Sequence, residues 1–150
     1  MNVRPDPAPS APTTRLGDWY CNLLPLKVGE YVLCVSGRTL LPVVLPVSAL
    51  KNLPQELAAG VSAVLGRLGR LGVEKTLIEQ ERFAMAKWTF GQTDNRRVLG
   101  TMNEFAFATD IRLEEEKVRL IDLALWLSET PCAAIDEVFP DKATQGLFAE

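Results

Sequence analysis

The sequence predicts a single α+β domain: an antiparallel β-meander plus a fourth strand, packed against several helices, with a helical C-terminal half. Three observations predict it. Between positions 18 and 46 the chain passes through three short segments rich in β-favouring residues, separated by turn residues. Between positions 57 and 71 the apolar residues move to helical spacing. From 118 to 127 one segment is apolar around most of a helix circumference. A chain of 150 residues is long enough for one core and short for two.

Residues 1–16, MNVRPDPAPSAPTTRL, hold four prolines among Ala, Ser and Thr. Such a composition buries little, so this stretch reads as a disordered N-terminal tail, with a partner-binding arm as its functional alternative. The ordered domain is then residues 17–150, with order beginning near Asp18. Trp19-Tyr20-Cys21-Asn22-Leu23-Leu24 reads as the first strand, and Lys27-Val28-Gly29-Glu30 as a turn in which Gly29 can take φ > 0. Tyr31 to Val35 is apolar on both faces, as a central strand covered by helices should be. After a turn at Ser36-Gly37-Arg38 comes a third strand, Leu40 to Pro46. Pro42 and Pro46 lack the backbone donor, which places it at an edge or makes it irregular.

Leu57, Val61, Val64, Leu68 and Leu71 predict a helix behind Pro54, with Gly72 as its stop. Gly60, Gly66 and Gly69 each weaken it by roughly 1 kcal/mol relative to Ala if interior, which implies close packing on the sheet or a mobile helix. A second helix spans about Glu74 to Arg82, with Leu77 and Ile78 inward. Ala86, Trp88 and Phe90 then alternate with Lys87 and Thr89, which is a fourth strand ended by Gly91. Asp94-Asn95 supplies turn and cap chemistry before a helix whose inner face is Val98, Leu99, Met102, Phe105 and Ala106. Phe105 and Phe107 also fit a strand. Glu114, Glu115 and Glu116 place negative charge in the first turn of a further helix, the most buried one, ending at Thr130-Pro131. Pro140-Asp141 starts a last short helix ending in Leu147-Phe148.

Composition narrows the chemistry. The chain has no His, which removes the commonest general base, the Ser-His and Cys-His pairs and most catalytic zinc sites. A net charge of −3 provides no global basic field for nucleic acid or an anionic membrane. Cys21, Cys34 and Cys132 form no CxxC pair, which reads as reduced thiols in the cytoplasm, Cys21 and Cys34 being core residues on adjacent strands. No secretory signal or membrane span is legible. Glu79, Glu81 and the 114–116 run lack a paired ligand pattern, so neither metal nor cofactor is expected.

The densest run of ligand-capable groups is Gly91 to Phe105. If a helix starts near Arg96, its free N–H groups and positive dipole end favour an anion. Arg96 and Arg97 add bidentate donors for phosphate or carboxylate. Asn103 and Glu104 follow about two turns on, where Glu104 could order an Arg or accept a proton. Asn95, Arg96, Arg97, Thr101, Asn103 and Glu104 are therefore the candidate ligand- or partner-binding residues, against a plain reading of cap, packing glycine and solvated arginines. No multi-glycine phosphate cradle accompanies them. Trp19 and Tyr20, beside Asp18 and Asn22, form a second candidate that could stack on a base or anchor a partner, against a plain core reading. Arg67, Arg70 and Lys75 read as a solvated face rather than a basic stripe.

Four motifs occur in order: Asp18-Trp-Tyr-Cys-Asn-Leu-Leu24, Thr39-Leu-Leu-Pro-Val-Val-Leu-Pro46, Asn95-Arg-Arg-Val-Leu-Gly-Thr-Met-Asn-Glu-Phe-Ala-Phe107 and Leu123-Ala-Leu-Trp-Leu-Ser-Glu-Thr-Pro-Cys132. With them the chain resembles, over roughly residues 17–148, a family of small bacterial proteins of unknown function often carried on plasmids and other mobile elements. That family's central motif has the form Asn-Arg-Ser-Val-Leu-Gly-Ser-Met-Asn-Asp-Phe; this chain has Arg97 and Thr101 in place of the two serines and Glu104 in place of Asp. The resemblance implies a bacterial, cytoplasmic protein in a mobile-element setting and carries no established activity. Three functions stay open, as does whether the chain is an enzyme. The leading one is a non-catalytic protein-interaction or regulatory protein, such as an inhibitor, adaptor or antitoxin-like component, whose partner is a protein. The others are a nucleic-acid-directed protein or toxin-like ribonuclease using Arg96 and Arg97, and a small anionic-ligand binder. Oligomeric state is not legible in the sequence.

Overall fold

The computed structural model describes residues 2–5, 14–27, 29–69, 71–86, 88–91, 96–115, 118–130 and 139–149. The meander is present. Strand β2 (Trp19–Leu26) pairs antiparallel with β3 (Gly29–Ser36), and β3 with β4 (Pro42–Pro46). Strand β1 (Asn2–Pro5) pairs antiparallel with both β2 and β5 (Trp88–Gly91). The sheet order is β4-β3-β2-β1-β5, so the proline-bounded β4 takes an edge as expected. A 3-10 turn (Val47–Asn52) leads into α1 (Leu53–Arg67), followed by α2 (Lys75–Ala84), α3 (Arg96–Glu115), α4 (Leu120–Ser128) and α5 (Pro140–Ala149). The fold is α+β with a helical C-terminal half.

Strand periodicity divides the core between the two faces of the sheet. Trp19, Cys21, Val32, Cys34, Val43 and Leu45 point to one face, where Leu57, Val61, Val64 and Leu65 of α1, Met85 and Phe148 cover them. Tyr20, Leu24, Leu33, Val35 and Val44 point to the other, under Val98, Met102 and Phe105 of α3. Helix α4 packs against edge strand β4 and enters both clusters, with Ala124 in the first and Leu123 and Leu127 in the second. A helix used on two sides must be apolar over most of its circumference, as α4 is. Cys21 lies directly across from Cys34, both as free buried thiols. Burial pushes the Cys34 thiol well above its ordinary pKa, and its hydrogen bond to Cys21 adds to this.

Gly60 explains how α1 sits so close to the sheet. A Cβ there would lie 2.8 Å from Val43 Cγ1 and 3.0 Å from Leu45 Cδ2. Gly66 faces open space instead. The helix stops at Arg67, with Gly69 at φ 68° just beyond it, so the expected extension through Leu68 to Leu71 is corrected. Leu68 is buried beyond the helix end, whereas Leu71 is 96% exposed. Gly72, at φ 73°, belongs to the connection to α2, where the Val73 N–H returns to the Leu65 carbonyl at 2.8 Å.

Two further expectations need correction. The tail over 1–16 is engaged at both ends: Asn2–Pro5 is a strand, and Thr14 and Leu16 are buried. Average composition over sixteen residues hides a four-residue pairing segment and one apolar anchor; residues 6–13 lie outside the described ones. Glu114 and Glu115 close α3 instead of opening the next helix, because α3 continues for 20 residues. Glu116 lies outside the described residues.

Candidate functional site

At 100° per residue, the sequence of α3 separates into two faces. Val98, Thr101, Met102, Phe105 and Thr109 are buried against the sheet. Arg96, Arg97, Gly100, Asn103 and Glu104 are exposed, and they share the outward face with Phe107, 71% exposed, and Ile111, 42% exposed. The fold thus brings four of the candidate residues, Arg96, Arg97, Asn103 and Glu104, onto one surface. Thr101 is turned inward and donates its hydroxyl to the Arg97 carbonyl, 3.2 Å away, as helix-interior threonines commonly do. Asn95 lies outside the described residues.

Trp19 and Tyr20 are not part of this surface. Both are buried, on opposite faces of β2, and the Trp19 indole N–H has no hydrogen-bond partner among the described residues. Of the expected solvated face, Arg67 pairs with Asp122 at 3.2 Å, Lys75 is exposed and Arg70 lies outside the described residues.

Sequence reasoning did not find Phe107 and Ile111. The signal was present: once the segment is helical, Phe105 and Phe107 stand 200° apart, so one of them must leave the core. An exposed aromatic four residues from an exposed Ile forms one apolar strip down the helix.

A second polar cluster, also missed, joins the N-terminal segment to α2. Glu81 is buried, and its two carboxylate oxygens accept the backbone N–H groups of Arg15 at 2.7 Å and Leu16 at 3.1 Å. Burial raises its pKa above the ordinary value, while those two N–H donors and the Arg15 and Arg38 guanidiniums pull it back. The Arg38 guanidinium donates to the Arg15 carbonyl at 3.1 Å. Ser36 donates its hydroxyl to the Leu16 carbonyl at 2.7 Å and accepts the Thr39 N–H at 3.1 Å. Thr144 of α5 donates to the Thr39 hydroxyl at 2.9 Å. A groove of about 430 Å³ runs beside Arg15, Glu79, Glu81 and Phe83. Both Glu81 oxygens already hold backbone donors, so this cluster pins residues 15 and 16 rather than offering a free base.

Among the described residues no three of His, Cys, Asp or Glu are grouped so as to hold a metal ion. No helix there is long and apolar enough to cross a membrane. No curated protein and no solved structure matches the chain. Residues 1–143 match the family described as Domain of unknown function (DUF6933), and the chain belongs to that family.

Proposed function

We propose that this is a non-catalytic interaction protein that engages a protein partner through the outward face of α3. The observation that carries this reading is the Phe107–Ile111 strip, 71% and 42% exposed, set among Arg96, Asn103 and Glu104. A rigid aromatic anchor surrounded by polar groups able to pair is the usual composition of a protein-binding patch. The complementary partner offers an apolar recess for Phe107 and carboxylates for the arginines. Nucleic acid is less well matched, because the same face carries Glu104 and the chain is net acidic. The resemblance of the 95–107 motif supports a bacterial mobile-element setting, in which an inhibitor, adaptor or antitoxin-like component works by binding.

Hydroxyl-radical footprinting of Phe107 tests this. The labelling rate in a lysate of the producing cell should fall several-fold below that of purified protein at nanomolar dilution, and should return in an Ile111→Glu variant. Equal labelling of Phe107 in both settings would remove the α3 face as an interface.

A further inference from the structure

We propose that Cys21 and Cys34 are a redox latch: hydrogen peroxide joins their thiols in a reversible disulfide that clamps β2 to β3. Cys21 stands directly across from Cys34 in the strand register. In an antiparallel pair such positions alternate between two kinds, and those without backbone hydrogen bonds bring the side chains closest. The bonds at the strand end decide which kind this is. The Ser36 N–H turns away from β2 to the Leu41 carbonyl at 3.0 Å, and the Gly37 N–H turns toward it, to the Asp18 carbonyl at 2.8 Å. Counting back by two from Ser36, the backbone groups of Cys34 also face away from β2, toward Val43 of β4. The proline in β2 agrees. Pro25 has no N–H to give and lies opposite Glu30, four residues along from Cys21 and so at a position of the same kind. Cys21 and Cys34 therefore face each other where Cα atoms lie about 4.5 Å apart, at the short end of the span that a disulfide bridges. Their thiols are already hydrogen-bonded to each other. Closing the bridge needs no change of register, and strain at that short end keeps the bond easy to reduce.

The surroundings choose the oxidant. Both side chains lie in the cluster with Trp19, Val32 and Val43 beneath α1, at 2% and 0% exposure. A bulky disulfide such as oxidised glutathione has no room to form a mixed adduct there. Peroxide is little larger than water and enters when the sheet opens locally. Burial holds Cys34 as a thiol, so the first step falls to Cys21. Its sulfur attacks one peroxide oxygen, the O–O bond breaks, and the thiol proton leaves with the other oxygen as water. The product is a sulfenic acid on Cys21. The Cys34 sulfur then displaces the hydroxyl, which takes the Cys34 proton and leaves as a second water. The two sulfurs give up two electrons, the peroxide accepts them, and one S–S bond forms. The bridge restricts the unfolded chain more than the folded one, so the oxidised form is the more stable.

Peptide mapping of the folded full chain tests this. Trypsin cuts after Arg15, Lys27 and Arg38, which puts the two cysteines on separate peptides, 16–27 and 28–38. After peroxide treatment and alkylation of the remaining thiols, the two peptides should be joined, with the mass lowered by two hydrogens, and dithiothreitol should separate them. Oxidised glutathione should leave no adduct on either cysteine. The peroxide-treated chain should keep its circular dichroism and gain in urea midpoint, a gain absent from Cys21→Ala and from Cys34→Ala. In Cys34→Ala, peroxide should leave Cys21 as a sulfenic acid that dimedone traps. Thiols at 21 and 34 that stay alkylatable at a peroxide dose consuming those of the urea-unfolded chain overturn the latch. So does either cysteine joined to Cys132, a glutathione adduct, or a joined pair with a lowered urea midpoint.

Discussion

Glu81 accepts two backbone N–H groups from a segment about 65 residues earlier in the chain, and its carboxylate loses water to do so. Glu81→Ala leaves both donors without a partner. Each orphaned donor costs about 1–3 kcal/mol, and water entering from the adjoining groove offsets part of that, so a total loss of about 2 kcal/mol in urea denaturation is expected. The pH dependence has a definite sign. The folded-state pKa of Glu81 lies above its unfolded value, so the native state binds the proton more tightly. Its contribution to stability is therefore greatest below the ordinary carboxylate range and declines as pH rises to the raised value, levelling off above it. Subtracting a Glu81→Gln stability profile from the wild type isolates this slope; a difference that grows with pH across the window would contradict it.

At the scale of the element, α1 and α3 show what a glycine does inside a helix. Gly66→Ala gains helix propensity into open space and should stabilise by up to about 1 kcal/mol, somewhat less for its place near the helix end. Gly60→Ala gains the same propensity but drives a Cβ into Val43 and Leu45, so it should be neutral or cost about 1 kcal/mol. Urea midpoints of the two variants check the pair, and the reverse order would refute the packing explanation. The same elements mark how far the sequence could be read. Period-2 and period-3.6 patterns located the meander, α1, α2, α4 and the inner face of α3, because burial imposes those periods directly. Helix ends were less legible. Leu71 matched the period of α1 but lies beyond a left-handed Gly69, and the Glu114–Glu115 pair looked like a start because acidic residues are favoured in a helix's first turn. The arginines and Glu104 were picked out as candidates from residue type alone, and the helix sets them on one exposed face. Phe107 and Ile111 were not, since an exposed apolar residue is distinguishable from a core residue only after the face is known.

For the molecule as a whole, the sheet is the common wall of two cores, and its wall is not uniform. The three long strands β2, β3 and β4 are consecutive hairpin partners, whereas β5 is hydrogen-bonded to the rest of the sheet through β1. Removing residues 1–5 should therefore release β5 while leaving the meander and both clusters assembled. Hydrogen exchange would show this as protection lost at 88–91 and retained at 31–35; retained protection at both would mean that β5 is held by something other than β1. Composition could not reveal this arrangement, since four residues inside a proline-rich stretch acquire their role only from what they pair with.

The placement of β1 also orders the assembly of the protein in time. During synthesis Asn2 leaves the ribosome long before its opposite number on β5, Gly91, which is made after the meander, α1 and α2. A nascent chain can close β2, β3 and β4 as they emerge, but the first strand must wait with one edge unmatched until more than half the chain is out.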